Sequence, residues 1–339
     1  MKLLLLLILV SCTGAPHYKG PVTNHFNGDT FENRIPQTKG FFSYWYMRLT
    51  TSRSDWPEWV KSKAQKIPQN LLSKDVVSAT FINHSTFLLN IGGIKILTDP
   101  IYSKRASPFD WIGPKRVIQP GVRFEDLPSI DLVLISHNHY DHLDIDTLKK
   151  LSKKHNPLFI VGLGNSLLLK EHGITNVKEM DWDQSFSFND LLIRFVYCQH
   201  WSGRGLFDRR KTLWGSFVIE SPHTKIYFAG DTGYSSHFKE QGELYGPFDL
   251  ALIPIGSYEA RSFMKFSHVN PEEAVIAHLD LKSKKTMGIH FGTFQLTNES
   301  RQAPIDELRK ARLQYSVKEN MFFHPQFGKT YLVKNLKKE

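Results

Sequence analysis

One six-residue string, His137-Asn138-His139-Tyr140-Asp141-His142, limits what this chain can fold into more than any other feature. It follows Asp131-Leu132-Val133-Leu134-Ile135, an apolar run that reads as a buried strand. Three imidazoles and one carboxylate therefore fall in a single loop held at a strand end, and all four are ordinary ligands for zinc and similar divalent ions. His137 and His139 alternate, so an extended backbone points them the same way, while Asp141 and His142 sit where the chain turns. One open catalytic zinc takes three protein ligands. Four in one loop point instead to two metals sharing a water, with about three further ligands supplied from elsewhere.

The further ligands should also lie just past strand ends, and three positions fit. His200 follows the apolar run Leu191 to Cys198, and His290 ends the run Thr286-Met287-Gly288-Ile289. Asp231 follows Ile226-Tyr227-Phe228-Ala229-Gly230, where Gly230 allows close backbone approach. One consistent allocation gives the first metal His137, His139 and His200, gives the second Asp141, His142 and His290, and uses Asp231 to bridge them. A hydroxide between two such cations has a strongly lowered pKa. The other histidines read differently. His155, His172 and His223 sit in polar connections, and His84 lies in a strand facing an undetermined direction. His278 falls in a helix, in a core or supporting role. His268, in Phe266-Ser267-His268-Val269-Asn270, precedes that helix in a loop that can face a phosphate.

With 339 residues, 41% of them hydrophobic, the chain can bury a large core. Charged residues make up 22%, and the mean hydropathy is −0.32, as expected of a globular body. The net charge of +10 suits an anionic partner such as phospholipid head groups, nucleic acid or phosphorylated metabolites, and serves equally as a general solubility charge. At the N-terminus, Met1-Lys2 leads into the aliphatic run Leu3 to Val10, which is far shorter than the ~20 residues of a membrane span and has the length of a signal-peptide core. Leu9-Val10-Ser11-Cys12 resembles the lipobox of bacterial lipoproteins, in which the signal is removed before a Cys that is then lipidated. That resemblance implies a membrane-anchored protein of the bacterial cell envelope, with residues 1–12 as signal. An ordinary secretory signal cleaved nearby, or an uncleaved anchor, fits the same run. The second cysteine, Cys198, lies in an apolar strand and reads as a buried inert thiol.

Residues 13–75 read as a tether followed by an aromatic and basic extension. The stretch to about residue 40 is rich in Gly, Pro, Asn and Thr. Phe41 to Leu49 and Trp56-Pro57-Glu58-Trp59-Val60, with Lys61, Lys63 and Lys66, combine aromatics and lysines as an interfacial membrane segment does; packing on the main domain explains them as well. Residues 76–335 form the main domain. Ala79 to Ile91 and Gly93 to Leu97 read as a hairpin turned at Asn90-Ile91-Gly92-Gly93, and helices are expected over Asp144–Leu151 and Pro271–Leu279. An internal echo links Ile94 to Asp99 with Lys225 to Asp231, each a strand ending in an Asp at a turn. The pattern predicts an α+β fold: two similar β-rich halves flanked by helices, a sandwich of two sheets.

The metal string together with His200, Asp231 and His290 resembles the metallo-β-lactamase superfamily. Thr98-Asp99-Pro100, Gly113-Pro114-Lys115-Arg116, Gly230-Asp231-Thr232-Gly233-Tyr234, His268-Val269-Asn270-Pro271-Glu272-Glu273-Ala274 and Ile289-His290-Phe291-Gly292 narrow the resemblance to the N-acylphosphatidylethanolamine-hydrolysing phospholipase D family. It implies an αββα sandwich with two zinc ions between the sheet edges, where iron or manganese also suits His/Asp ligands. It implies hydrolysis of N-acylphosphatidylethanolamine to an N-acylethanolamine and phosphatidic acid by a hydroxide between the metals, with Asp231 and His268 as catalytic residues and Tyr140 and His268 facing substrate. A phospholipid surface is the implied partner, homodimers occur in the family, and no nucleic acid is expected. Lys115 and Arg116 are candidates to hold the head group, or else residues of a surface turn. Related metal-dependent lactonases and other phosphodiesterases are the nearest rivals in chemistry, and a non-catalytic lipid-binding envelope protein is a more distant one.

Overall fold

The computed structural model describes residues 14–36 and 49–336. The first half of the main domain contains strands β1 (Val76–Asn83), β2 (Thr86–Ile91), β3 (Ile94–Thr98), β4 (Leu132–Ile135), β5 (Leu158–Gly162) and β6 (Val177–Met180). Helices α1 (Ile145–His155) and α2 (Asn165–Glu171) follow β4 and β5. The second half contains β7 (Gln184–Phe188), β8 (Leu191–Val196), β9 (Ser216–Glu220), β10 (Lys225–Phe228), β11 (Leu250–Pro254), β12 (Thr286–Ile289) and β13 (Phe322–Phe323), with helices α3 (His237–Leu244), α4 (Arg261–Met264), α5 (Pro271–Asp280) and α6 (Ala303–Gln314) between them. The last strand, β14 (Thr330–Asn335), returns to the first half. There are two seven-stranded sheets, ordered β14-β1-β2-β3-β4-β5-β6 and β13-β12-β11-β10-β9-β8-β7.

The internal echo in the sequence corresponds to a shared topology. β3 pairs antiparallel with β2 and parallel with β4. β10 pairs antiparallel with β9 and parallel with β11. Each echoed strand therefore sits where its sheet changes from antiparallel to parallel pairing. Crevices at the carboxyl ends of strands beside such topological switches are where α/β sheets commonly place their sites.

Side-chain alternation assigns each strand to two cores. Leu132 and Leu134 of β4 face the other sheet, where they join Phe81, Phe87, Phe195, Phe217, Phe228 and Leu252. Val133 and Ile135 point the other way and pack with Leu148 and Leu151 of α1 and Leu168 and Leu169 of α2. The period of two thus makes the central strands apolar on both faces. α1 stops at Asn156, which takes a left-handed conformation and returns its N–H to the carbonyls of Leu151 and Ser152. α5 begins with a reciprocal capping box between Asn270 and Glu273, with Pro271 in its first turn.

Two expectations are corrected. Ala79 to Ile91 is not one strand: the chain reverses at His84-Ser85, so that β1 and β2 form their own antiparallel pair. Apolar periodicity runs through both strands and hides the turn. Nor are residues 14–36 a detached tether. Phe26 and Phe31 are fully buried in the inter-sheet core, with Tyr18 packed edge-on against Phe26. Few apolar residues in a Gly- and Asn-rich stretch were enough to dock it. In the aromatic extension, Trp56 Nε1 donates to the Glu299 carbonyl (2.9 Å), whereas Trp59 stays half exposed. Phe41 to Arg48 and Cys12 lie outside the described residues. Among those described, no helix is long and apolar enough to cross a membrane.

Candidate metal centre

The loop after β4 begins with a hydrogen-bonded clamp. Ser136 donates its N–H and its hydroxyl to the Asp99 carboxylate at 2.8 and 2.6 Å. Gly230, at φ +60°, comes so close that a Cβ there would lie 2.5 Å from that of Ser136, which is the close approach its position suggested. The strand ends of both halves are thereby held against each other, and the candidate ligands project from them.

All seven predicted side chains meet. The donor atoms of His137, His139 and His200 form one group within 4.8 Å of one another, with His139 Nδ1 2.7 Å from His137 Nε2 and 3.3 Å from His200 Nε2. Asp141, His142 and His290 form a second group, which also includes His84. Asp231 lies between the two. Its Oδ2 is 3.0 Å from His290 Nε2 and 3.1 Å from His142 Nε2, and 3.9 Å from the Nε2 atoms of both His137 and His200. The structure brings each allocated set together; Asp99 also groups with His137 and His142, and His268 with His200 and Asp231.

The outer ring atoms are held so that the inner ones can bind. His142 Nδ1 donates to Asp99 Oδ2 (2.6 Å), and His200 Nδ1 donates to the Ser267 carbonyl (2.8 Å). Each bond fixes the tautomer and turns the Nε2 lone pair inward, the usual support for a ligating histidine. Asn33 braces His200 from the N-terminal segment, donating to its carbonyl (2.7 Å) and accepting from its N–H (3.2 Å). Among the described residues, buried Asp231 Oδ1 and His142 Nε2 have no hydrogen-bond partner. Burial of polar atoms without partners is costly. Divalent cations fit this donor set, since they satisfy such atoms and neutralise the two carboxylates together.

Burial keeps His137 neutral, far below the ordinary imidazole value, and pushes His139 and His200 down to about 3. His142 and His290 behave oppositely. Burial again disfavours their charge, but it is outweighed by Asp231, Asp141 and Asp99 at His142 and by Asp231 and Asp141 at His290, whose pKa rises to about 9. A metal needs neutral nitrogen, so both rings must lose protons on binding. Metal affinity is therefore expected to climb as pH rises from about 6.5, the ordinary imidazole value, to about 9, with protons released near neutrality. Calorimetric titration in buffers of different ionisation heat counts those protons, and a flat affinity across this window would contradict the assignment.

The remaining candidates divide. His268 is buried beside the cradle, its donor atom grouped with those of His200 and Asp231 and its Nδ1 3.8 Å from Asp231 Oδ2, and burial lowers its pKa to about 3. Tyr140 packs beside Ile101, Ala106 and Phe294. The Arg204 guanidinium lies 3.9 Å over its ring, and the two line a neighbouring cavity of about 410 Å³ with Ser103 and Asp144. His278 is a core residue, bonded through Nδ1 to Thr286 Oγ1 (2.8 Å). Cys198 is buried, its thiol pushed up by desolvation, and belongs to none of the donor groups among the described residues. Arg116 is corrected from both sequence readings. It is buried, and its guanidinium donates to the carbonyls of Ser103 (2.9 Å), Ile101 (3.1 Å) and Ile118 (3.4 Å), so it neither holds a head group nor sits in a surface turn.

Three residues gained a place that sequence did not give them. Asp99 had a signal, as the Asp of the echoed strand end, yet its role as acceptor for Ser136 and His142 needs the fold. Arg204 had no signal; Nη1 donates to the Asn138 and Leu143 carbonyls (both 2.8 Å), bracing both ends of the metal loop. The third is His84.

A family model described as "Beta-lactamase superfamily domain" matches residues 95–291. An uncharacterised protein of Mycobacterium tuberculosis is 42% identical over 240 residues, 69% of this chain; the match spans 64% of that relative's length, just under two thirds. The N-acyl-phosphatidylethanolamine-hydrolyzing phospholipase D 1 of Caenorhabditis elegans is 39% identical over 250 residues, 70% of each chain. Among solved structures, the isothiocyanate hydrolase from Delia radicum gut bacteria shares the fold with a TM-score of 0.61 at 21% identity, over 75% of this chain and 98% of that one. Two sheets of matching internal topology, a His/Asp cradle at their joined strand ends and a family match across most of the main domain lead to one conclusion: the chain belongs to the metallo-β-lactamase superfamily.

Proposed function

We propose that this protein is a metal-dependent hydrolase of phospholipase D type, cleaving N-acylphosphatidylethanolamine to an N-acylethanolamine and phosphatidic acid at a membrane surface. The observation that carries the hydrolase reading is the convergence of five histidines and two aspartates at one crevice. The substrate rests on the likeness to the worm enzyme. Two divalent cations in this cradle, zinc by preference and iron or manganese as alternatives, would supply Lewis acidity toward a phosphoryl oxygen and lower the pKa of a water.

The protein's own residues orient and screen. Asp231 holds a negative charge common to both donor groups, kept ionised against the effect of burial by His142, His290 and His268. His268 stays neutral beside Asp231, and its buried Nδ1 has no hydrogen-bond partner among the described residues, so it can meet a substrate oxygen or leaving group there. Trp201 packs edge-on against His139 (4.3 Å between centroids) and excludes water from that side.

A lipid surface is the partner that the site's surroundings favour. Ser103, Ser107 and Arg204 line the same cavity as Tyr140, and beyond these residues their loops expose Trp111 and Ile112 on one side, Leu206 and Phe207 on the other. Residues 49–66, 103–115 and 201–210 carry ten Lys/Arg against four Asp/Glu. Apolar tips with basic neighbours suit an anionic bilayer. Anchoring through Cys12 in a bacterial envelope, and pairing as a homodimer, belong to the same proposal.

The test is hydrolysis of N-acylphosphatidylethanolamine in mixed micelles, with products identified by mass spectrometry. Metal-dependent release of N-acylethanolamine and phosphatidic acid, abolished by His139→Ala, is expected. A protein that binds metal yet leaves this lipid intact would overturn the substrate and turn the search to lactones and other phosphodiesters.

A further inference from the structure

His84 occupies the tight turn between β1 and β2 and is almost entirely buried. It adopts φ +47°, a left-handed conformation uncommon for a residue with a side chain. The turn is held from outside: His84 N–H donates to Thr293 Oγ1 (3.0 Å), and its carbonyl accepts from the N–H of His290 (2.9 Å). The ring packs on His290 (4.1 Å between centroids) and edge-on to Phe294 (5.4 Å). Its Nε2 lies 2.9 Å from Asp141 Oδ2, while its Nδ1 has no hydrogen-bond partner among the described residues.

One residue therefore touches two members of the second donor group. The carbonyl fixes the backbone that carries His290, and the ring contacts the carboxylate of Asp141. A bare Nε2 lone pair facing a carboxylate is repulsive, whereas an Nε2–H donates to it, and a carboxylate so bonded has one orientation toward a cation.

We propose that His84 is a positioning residue of the second metal site: as an Nε2–H donor it orients Asp141 as a ligand without itself binding the metal. This rests on the reading of Asp141, His142 and His290 as ligands, and it adds to them a residue outside the metal string, at a strand end that the sequence pattern hid.

The test uses two variants that share the backbone strain of the turn and differ in donor chemistry. His84→Gln keeps an amide N–H at the reach of Nε2; His84→Met fills the space without a donor. Zinc stoichiometry and stepwise affinity are measured by competition with a chromophoric chelator, and circular dichroism establishes that each variant is folded. The wild type is expected to bind two zinc ions. His84→Met should weaken the second by about 10- to 100-fold with the first unchanged, the usual effect of losing a ligand's hydrogen-bond partner. His84→Gln should return to within a few fold of wild type. Equal second-site affinity in the Met variant overturns the proposal. A Gln variant as weak as Met overturns it too, and makes His84 a direct ligand. Failure of the wild type to bind a second zinc removes the underlying site, an outcome distinct from either variant result.

Discussion

Asp231→Asn is expected to lower divalent-metal affinity by at least about 100-fold and to reduce hydrolysis in step. Among the described residues, no other carboxylate has a single oxygen within 4 Å of four candidate ligand nitrogens, two at 3.0 and 3.1 Å and two at 3.9 Å. Asparagine preserves the shape and removes the charge. Two cations brought together repel, and Asp231 is the negative group set to screen one from the other. The change also withdraws the counter-charge that keeps His142 and His290 protonated without metal, so the pH dependence of metal uptake should flatten as the affinity falls. Metal content by elemental mass spectrometry, alongside turnover, checks this. A variant that retains both metals and full activity would remove Asp231 from the site.

Arg116→Met is expected to act on stability and leave the chemistry alone. The guanidinium is buried and surrounded by three main-chain carbonyls and the Phe294 ring, 5.2 Å away. Burial lowers its pKa only to about 10, so it is charged at neutral pH. Removing it takes a donor from three carbonyls, of which that of Ile101 keeps Asn83 Nδ2 (3.1 Å), at about 1–3 kcal/mol for each group left unsatisfied. A net loss of about 3 kcal/mol corresponds to a fall in Tm of roughly 6–10 °C for a domain of this size. Thermal melting reads it directly. An unchanged Tm with a raised KM for phospholipid would return Arg116 to head-group binding.

Arg116, His84, Phe26 and Phe31 mark where sequence reading stops. The metal loop was legible because metal chemistry demands several ligands close together, and His137 to His142 supply four in one string. His200, Asp231 and His290 were legible because each follows an apolar run, so one rule about strand ends located all three. The two-sheet architecture was legible in the echo of β3 and β10. Arg116 reads as head-group ligand or surface turn because Gly-Pro before it suggests a turn, and only the pairing of Arg105 with Lys115 and of Arg116 with Phe294 turns its side chain inward. His84 was hidden by continuity: apolar residues on both sides of a buried reversal give the same pattern as one long strand. Phe26 and Phe31 were hidden by composition, since two aromatics dock a segment whose other residues look solvated. In each case the missing information was a long-range pairing, which local pattern does not carry.

The bond between Asn33 and His200 has a practical consequence for where this protein can be cut. Similarity marks out residues 95–291, and the regular strand pattern begins at Val76. The working unit is larger than either. A fragment trimmed to the matched region loses β1 and β2, with them His84 and the turn that holds His290, and it exposes β3 as a bare sheet edge. A fragment started at Val76 keeps all seven candidate ligands and still loses the Asn33 side chain that fixes His200 through its backbone at 2.7 and 3.2 Å. Such a fragment would also lose Phe26 and Phe31 from the inter-sheet core and hold one ligand loosely, so low activity in it would report on the trimming and not on the chemistry. The boundary of resemblance and the boundary of function are different lines in this chain, and the second runs through the segment that looked like a leash.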